Sequence, residues 1–160
     1  MTRLIIIIVV SLVMLVLTPF KGVLAISADS PWYTHITYMF AHANILHWAI
    51  NAYALVLLHH HITLTAVVTA VVTAVGISFL PVSSPLLGAS VITFFFVGTL
   101  ATRLYRYNST AFWQCIIFLI VAFFLPAIAA LQHLIAFLIG MAYHTISNLI
   151  QSYRTFYSEQ

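Results

Sequence analysis

The chain has 160 residues, 64% of them apolar and 4% charged, whereas soluble domains average roughly 25% charged, so a water-facing surface cannot be assembled from it. The net charge of +3 comes from five basic residues set against two acids, too sparse for the clustered basic face that binds nucleic-acid phosphates. Composition therefore excludes a separate soluble domain and a nucleic-acid partner, and points to lipid.

A spanning helix needs about 20 mostly apolar residues, and a helix satisfies its own backbone where no water is present. Six apolar runs answer to that description, at 4–18, 38–58, 62–80, 88–104, 111–127 and 132–150. They are separated at Thr18-Pro19, at His59-His60-His61, between Pro81 and Pro85, from Arg103 to Thr110, and near Pro126. The expected fold is an all-α membrane protein, one transmembrane domain over residues 1–160. The first run also reads as a signal peptide, with Arg3 as its basic flank and Val23-Leu24-Ala25 as a cleavage site. Lysine and arginine are retained on the cytoplasmic side. With six spans, Arg3, Arg103, Arg106 and Arg154 share one side and Lys21 falls opposite. A multi-pass protein of the cell (inner) membrane with both termini cytoplasmic is expected. In the third run, Thr65, Thr69 and Thr73 beside Ala66, Ala70 and Ala74 form a small-residue face for close helix packing. Cys115, the single cysteine, reads as a packing residue.

Polar residues inside spans are costly and mark function by default. His47 and Asn51 lie four apart near the start of the second run, on one helical face. Ser90 opens the fourth run and His133 the sixth. Even-numbered spans all begin on the outer side, so these four residues fall in one layer just below the external surface. A histidine beside a serine is the minimal pair for nucleophilic catalysis, the imidazole accepting the proton that a neutral hydroxyl must lose. Singly, each has a plainer reading: Ser90 as a helix N-cap, the histidines as packing residues or cofactor ligands.

The segment His42-Ala-Asn-Ile-Leu-His47-Trp-Ala-Ile-Asn51 resembles the second-span pattern of the rhomboid intramembrane serine proteases. Gly88-Ala89-Ser90, with Gly98 eight residues on, is similar to that family's Gly-x-Ser nucleophile motif and its packing glycine. His133 with Gly140 resembles the sixth-span histidine and glycine, and Phe94 falls where the family has an aromatic residue stacked on the catalytic histidine. The resemblance implies a six-helix rhomboid-like bundle and an endopeptidase that cuts transmembrane segments of membrane proteins, using neither cofactor nor metal. Ser90 and His133 would be catalytic, Asn51 and His47 would stabilise the oxyanion with the Ser90 N–H, and His42, Gly88, Phe94, Gly98 and Gly140 would support them. Val91 and Ala136 stand where many members have glycine, and residues 19–37 lack the Trp-Arg pair and the length of the family's first loop.

Of the two acids, Glu159 falls on the cytoplasmic side and Asp29 in an outer loop, so a Ser–His dyad without a third member is expected. Residues 59–61 read as an interfacial loop, since neighbouring histidines point to different helix faces, and His144 as a structural polar contact. His35 joins Trp32, Tyr33 and Tyr38 in an outer aromatic belt. The alternatives are an inactive rhomboid-like binder of transmembrane segments, a histidine-ligated haem or metal membrane protein, and a small transporter subunit, for which no charged or broken mid-membrane site is visible.

Overall fold

The computed structural model describes residues 1–27, 29–81, 85–124 and 129–158, with the backbone alone at 106, 118 and 121–124. The chain is helical: α1 (Thr2–Leu17), α2 (Lys21–Leu24), α3 (Thr34–Thr37), α4 (Ile45–Leu58), α5 (Leu64–Ile77), α6 (Ser90–Tyr107), α7 (Ser109–Phe124) and α8 (Ala130–Ser158). Short 3₁₀ turns at Thr18–Phe20, Tyr38–Phe40 and His59–His61 join them. The described residues contain no β-strand beyond one isolated bridge, Ile26 to Leu86.

Two helical stretches, Thr2–Leu24 and Ala130–Ser158, are long and apolar enough to cross a membrane. A third joins them if Thr34–Phe40 and Ile45–His61, which meet at 85°, count as one span; Leu64–Ile77 and Ser90–Tyr105 are apolar but shorter. α1 is apolar all round, yet Ser11 and Met14 are its only buried side chains. Ile5, Ile6, Val9, Leu12 and Val16 stand more than half exposed. Exposed apolar surface of that extent calls for a non-aqueous neighbour, as the interior of a membrane would provide.

α6 forms the centre, packed on α4, α5, α7 and most extensively on α8, while α1 lies against α4. Glycine makes the central contact close. An added Cβ at Gly98 would stand 2.1 Å from the Phe137 carbonyl oxygen, and one at Gly140 2.0 Å from that of Phe95. Ala136 is fully buried in the same seam, and Ala66, Ala70 and Ala74 turn the α5 alanine face into the core. Cys115 packs at the core's edge.

Each of the six apolar runs coincides with one helix of fourteen residues or more, but the bounds differ: α5 ends at Ile77 rather than 80, and α6 runs from Ser90 to Tyr107 rather than from 88 to 104. The run at 38–58 is not one helix. Asn44 is extended and its side-chain oxygen accepts from the His47 backbone N–H at 2.9 Å, so α4 starts at Ile45; an asparagine cap offers the backbone an alternative to continuing the preceding helix. The last helix runs to Ser158 rather than 150, and residues 59–61 form a 3₁₀ turn between α4 and α5. The break near Pro126, the end of the 111–127 run, residues 82–84, Glu159 and the Arg106 side chain lie outside the described residues.

Candidate active site

Ser90 and His133 meet across the α6–α8 seam. Gly88 sits at φ 96° and donates its N–H to Tyr38 O at 2.8 Å, turning the chain into α6; that region is open to glycine and strained for other residues. The α6 N-cap is Ala89, with no side-chain cap, so the Ser90 hydroxyl is not occupied in capping its own helix. It bonds instead to His133 Nε2, 2.8 Å away on the first turn of α8. Phe94, one turn after Ser90, stacks on the imidazole with ring centroids 4.4 Å apart and planes 16° from parallel. With the ring fixed from one side and Nε2 aimed at the hydroxyl, the pair has the geometry of a nucleophile and its general base.

A second serine–histidine contact shows by contrast what matters. His35 Nδ1 lies 2.9 Å from Ser78 Oγ, but that hydroxyl donates its proton to Val75 O at 2.5 Å. Ser78 therefore accepts from the imidazole and cannot pass it a proton, whereas among the described residues no carbonyl competes for the Ser90 hydroxyl.

The other ring nitrogen, His133 Nδ1, is buried and has no hydrogen-bond partner among the described residues. Asp29 is exposed in the segment before α3. The centre is thus a pair, without a carboxylate behind the imidazole among the described residues. Compared with family models, with curated proteins and with solved structures, the chain finds no match in any of the three.

Beside the pair, a cavity of about 330 Å³ is lined by His47, Ser90 and His133 on its polar wall and by Leu46, Ile50 and Leu87 on its apolar wall. His47 reaches it from the first turn of α4, set there by the Asn44 cap. His42 is fully buried in the non-helical stretch before α4; its Nε2 accepts from the Ala89 N–H at 3.4 Å, and its ring meets that of His47 edge-on at 5.1 Å. The two rings close around Gly88, where a Cβ would come within 2.9 Å of His47 Cε1 and 3.1 Å of His42 Cδ2. Asn51 is buried one step behind the cavity wall. Its amide donates to His47 O at 2.8 Å, and its oxygen accepts from Thr93 Oγ1 at 3.1 Å, a hydroxyl proton shared with Ala89 O at 3.2 Å.

Thr93 is the residue that sequence reasoning missed. Three positions after Ser90, it shares that residue's helix face, and this spacing was the signal that could have found it. Tyr38 departs from the expected aromatic belt: it is fully buried and its hydroxyl donates to Ala74 O at 2.9 Å, while Trp32 stays exposed. His35 turns inward to Ser78 and stacks on Phe79 at 4.1 Å. His144 contacts Asn148 at 3.0 Å, away from the pair. Among the described residues no group of three histidine, cysteine or acidic side chains is placed to hold a metal ion.

Proposed function

We propose that the chain is a six-span intramembrane serine endopeptidase of the rhomboid type, with Ser90 and His133 as its catalytic dyad and transmembrane segments of other membrane proteins as its substrates. The observation that carries this reading is the 2.8 Å bond between Ser90 Oγ and His133 Nε2 beside an open cavity. Support comes from the residues around it: Phe94 on the imidazole, Gly98 and Gly140 in the seam, and the His42–Asn51 segment against Gly88. Arg3, Arg103 and Arg154 then lie on the cytoplasmic side, and the dyad opens outward.

In the proposed reaction, Ser90 Oγ attacks the scissile carbonyl carbon as its proton passes to His133 Nε2. The C–N bond breaks as the imidazolium returns that proton to the departing amine. A water, giving its proton to His133, then attacks the Ser90 ester; the acyl C–O bond breaks, the imidazolium returns the proton to Ser90 Oγ, and the new carboxyl terminus leaves. During both steps the negative oxygen would be met by His47 at the cavity wall, by the remaining Asn51 amide N–H behind it, and by the backbone N–H groups that open α6, at the positive end of its dipole. A substrate helix hides its peptide bonds within its own turns, so the segment must unwind to enter; residues that weaken a helix and small residues near the cut favour this.

The test is cleavage of a model transmembrane substrate by the purified protein, with Ser90→Ala and His133→Ala alongside and helicity followed by circular dichroism. Both variants are expected to remain folded and inactive. Ser90→Ala cutting at the wild-type rate would refute the proposal.

A further inference from the structure

The end of α6 away from Ser90 carries a second polar site, which the dyad does not use. Arg103 follows Ser90 by thirteen positions, about 20 Å along the axis. A guanidinium presents five N–H donors, and Arg103 spends one, from Nη1 to His61 Nδ1 at 3.0 Å. Because arginine only donates, His61 accepts at Nδ1, and its neutral ring keeps its proton on Nε2. Two adjoining cavities, of about 260 and 420 Å³, both reach Arg103 and His144. Tyr143, Ser147 and His61 line the first and Asn148 the second. A cation and imidazole and hydroxyl donors thus converge here from the turn before α5, from α6 and from α8.

No described group balances that charge. Of the chain's two acids, Asp29 lies beside the Ile26–Leu86 bridge at the Ser90 end, and Glu159 is outside the described residues. A water occupies about 30 Å³ in the liquid, so the smaller cavity admits a four-oxygen anion. Tetrahedral oxyanions suit a guanidinium flanked by hydroxyl and imidazole donors, and basic pockets between membrane helices take anionic headgroups.

We propose that the Arg103–His61–His144 pocket binds a phosphate group, carried by an anionic lipid headgroup or by free phosphate. The site is independent of the dyad: it would stand if Ser90 proved inert.

Thermal unfolding of the purified full chain in uncharged micelles tests it, with inorganic phosphate, phosphatidylglycerol, phosphatidylcholine and oleate added in separate arms. Phosphatidylglycerol or inorganic phosphate is expected to raise Tm, phosphatidylcholine and oleate to leave it unchanged, and Arg103→Gln to raise the half-saturating concentration about tenfold or more. A response to phosphatidylglycerol alone identifies the headgroup as the source; a response to inorganic phosphate identifies the free ion. No shift with either, an equal shift with oleate, or a full response in Arg103→Gln overturns the proposal. If Arg103→Gln does not fold, the paired variants His61→Gln and Ser147→Ala decide, and undiminished binding in both overturns it equally.

Discussion

Gly98→Ala and Gly140→Ala should loosen the α6–α8 seam and, through it, the dyad. At Gly98 the new methyl would stand 2.1 Å from Phe137 O, where ordinary contact begins at 3.4 Å, so the backbones must part by about 1.3 Å. The obstacle is a carbonyl inside a helix and not the free end of a side chain, so it cannot rotate aside. Overpacking of this kind costs about 1–3 kcal/mol. The same parting stretches the 2.8 Å Ser90–His133 bond, which spans that seam, beyond hydrogen-bond length, and a misplacement of about 1 Å at reacting groups costs roughly 100-fold in rate. Gly76→Ala is the control: its Cβ meets nothing within 4 Å, and alanine is preferred to glycine in a helix by about 1 kcal/mol. Thermal unfolding in detergent reads the first effect and substrate cleavage the second. A Gly98→Ala protein melting at or above the wild-type temperature would refute the close-contact argument, because Gly76→Ala shows what alanine does without a clash.

Thr93→Val removes the hydroxyl that holds the Asn51 oxygen and should lower kcat about tenfold with KM little changed, with Thr93→Ser restoring it; an equal loss in Thr93→Ser would make the residue a packing element only. Asp29→Asn should leave cleavage within about threefold, since Asp29 is exposed and His133 Nδ1 has no described partner; inactivity of this variant would break the dyad assignment. A cysteine at position 90, in a chain where Cys115 is replaced, should react with small water-soluble reagents from outside, and one at position 106 from the cytoplasmic side; labelling of position 90 from the cytoplasm alone would invert the proposed topology.

The features legible in the sequence depend on local chemistry. Each apolar run coincides with a helix because 15 to 21 mostly apolar residues leave the backbone no better partner than itself. The Phe94–His133 stack and the Gly98 and Gly140 contacts involve positions that the family resemblance, and not spacing alone, singled out in the sequence. What was hidden depended on single side chains competing with the helix. Asn44 ends the continuity of the second run through one hydrogen bond, a choice that hydropathy cannot register. Tyr38 looks interfacial by type, yet Ala74 on α5 offers a buried carbonyl within reach of its hydroxyl, and only the assembled bundle reveals that partner. Ser78 and His35 are 43 residues apart, as are Ser90 and His133; separation and residue type are the same, and the distinction lies in the Val75 carbonyl.

Helix length bears on how the site meets water. α4 and α5 have fourteen residues each, about 21 Å of rise, against a hydrocarbon layer of roughly 30 Å. For this reason length alone admits two or three spans while the apolar runs number six. A bundle of short helices surrounding α6 would be accommodated by local thinning of the bilayer. In the proposed topology, thinning would bring the outer boundary down toward the starts of α4, α6 and α8, where His47, Ser90 and His133 converge. In the proposed enzyme the shortness of α4 and α5 would then serve the chemistry: hydrolysis needs water at the Ser90 ester, and a shallow cavity beneath a thinned leaflet admits it without a channel through the core. Lengthening α5 by one turn ahead of the Ala66–Ala74 face would restore thickness without touching the dyad, and should slow cleavage in vesicles more than in detergent.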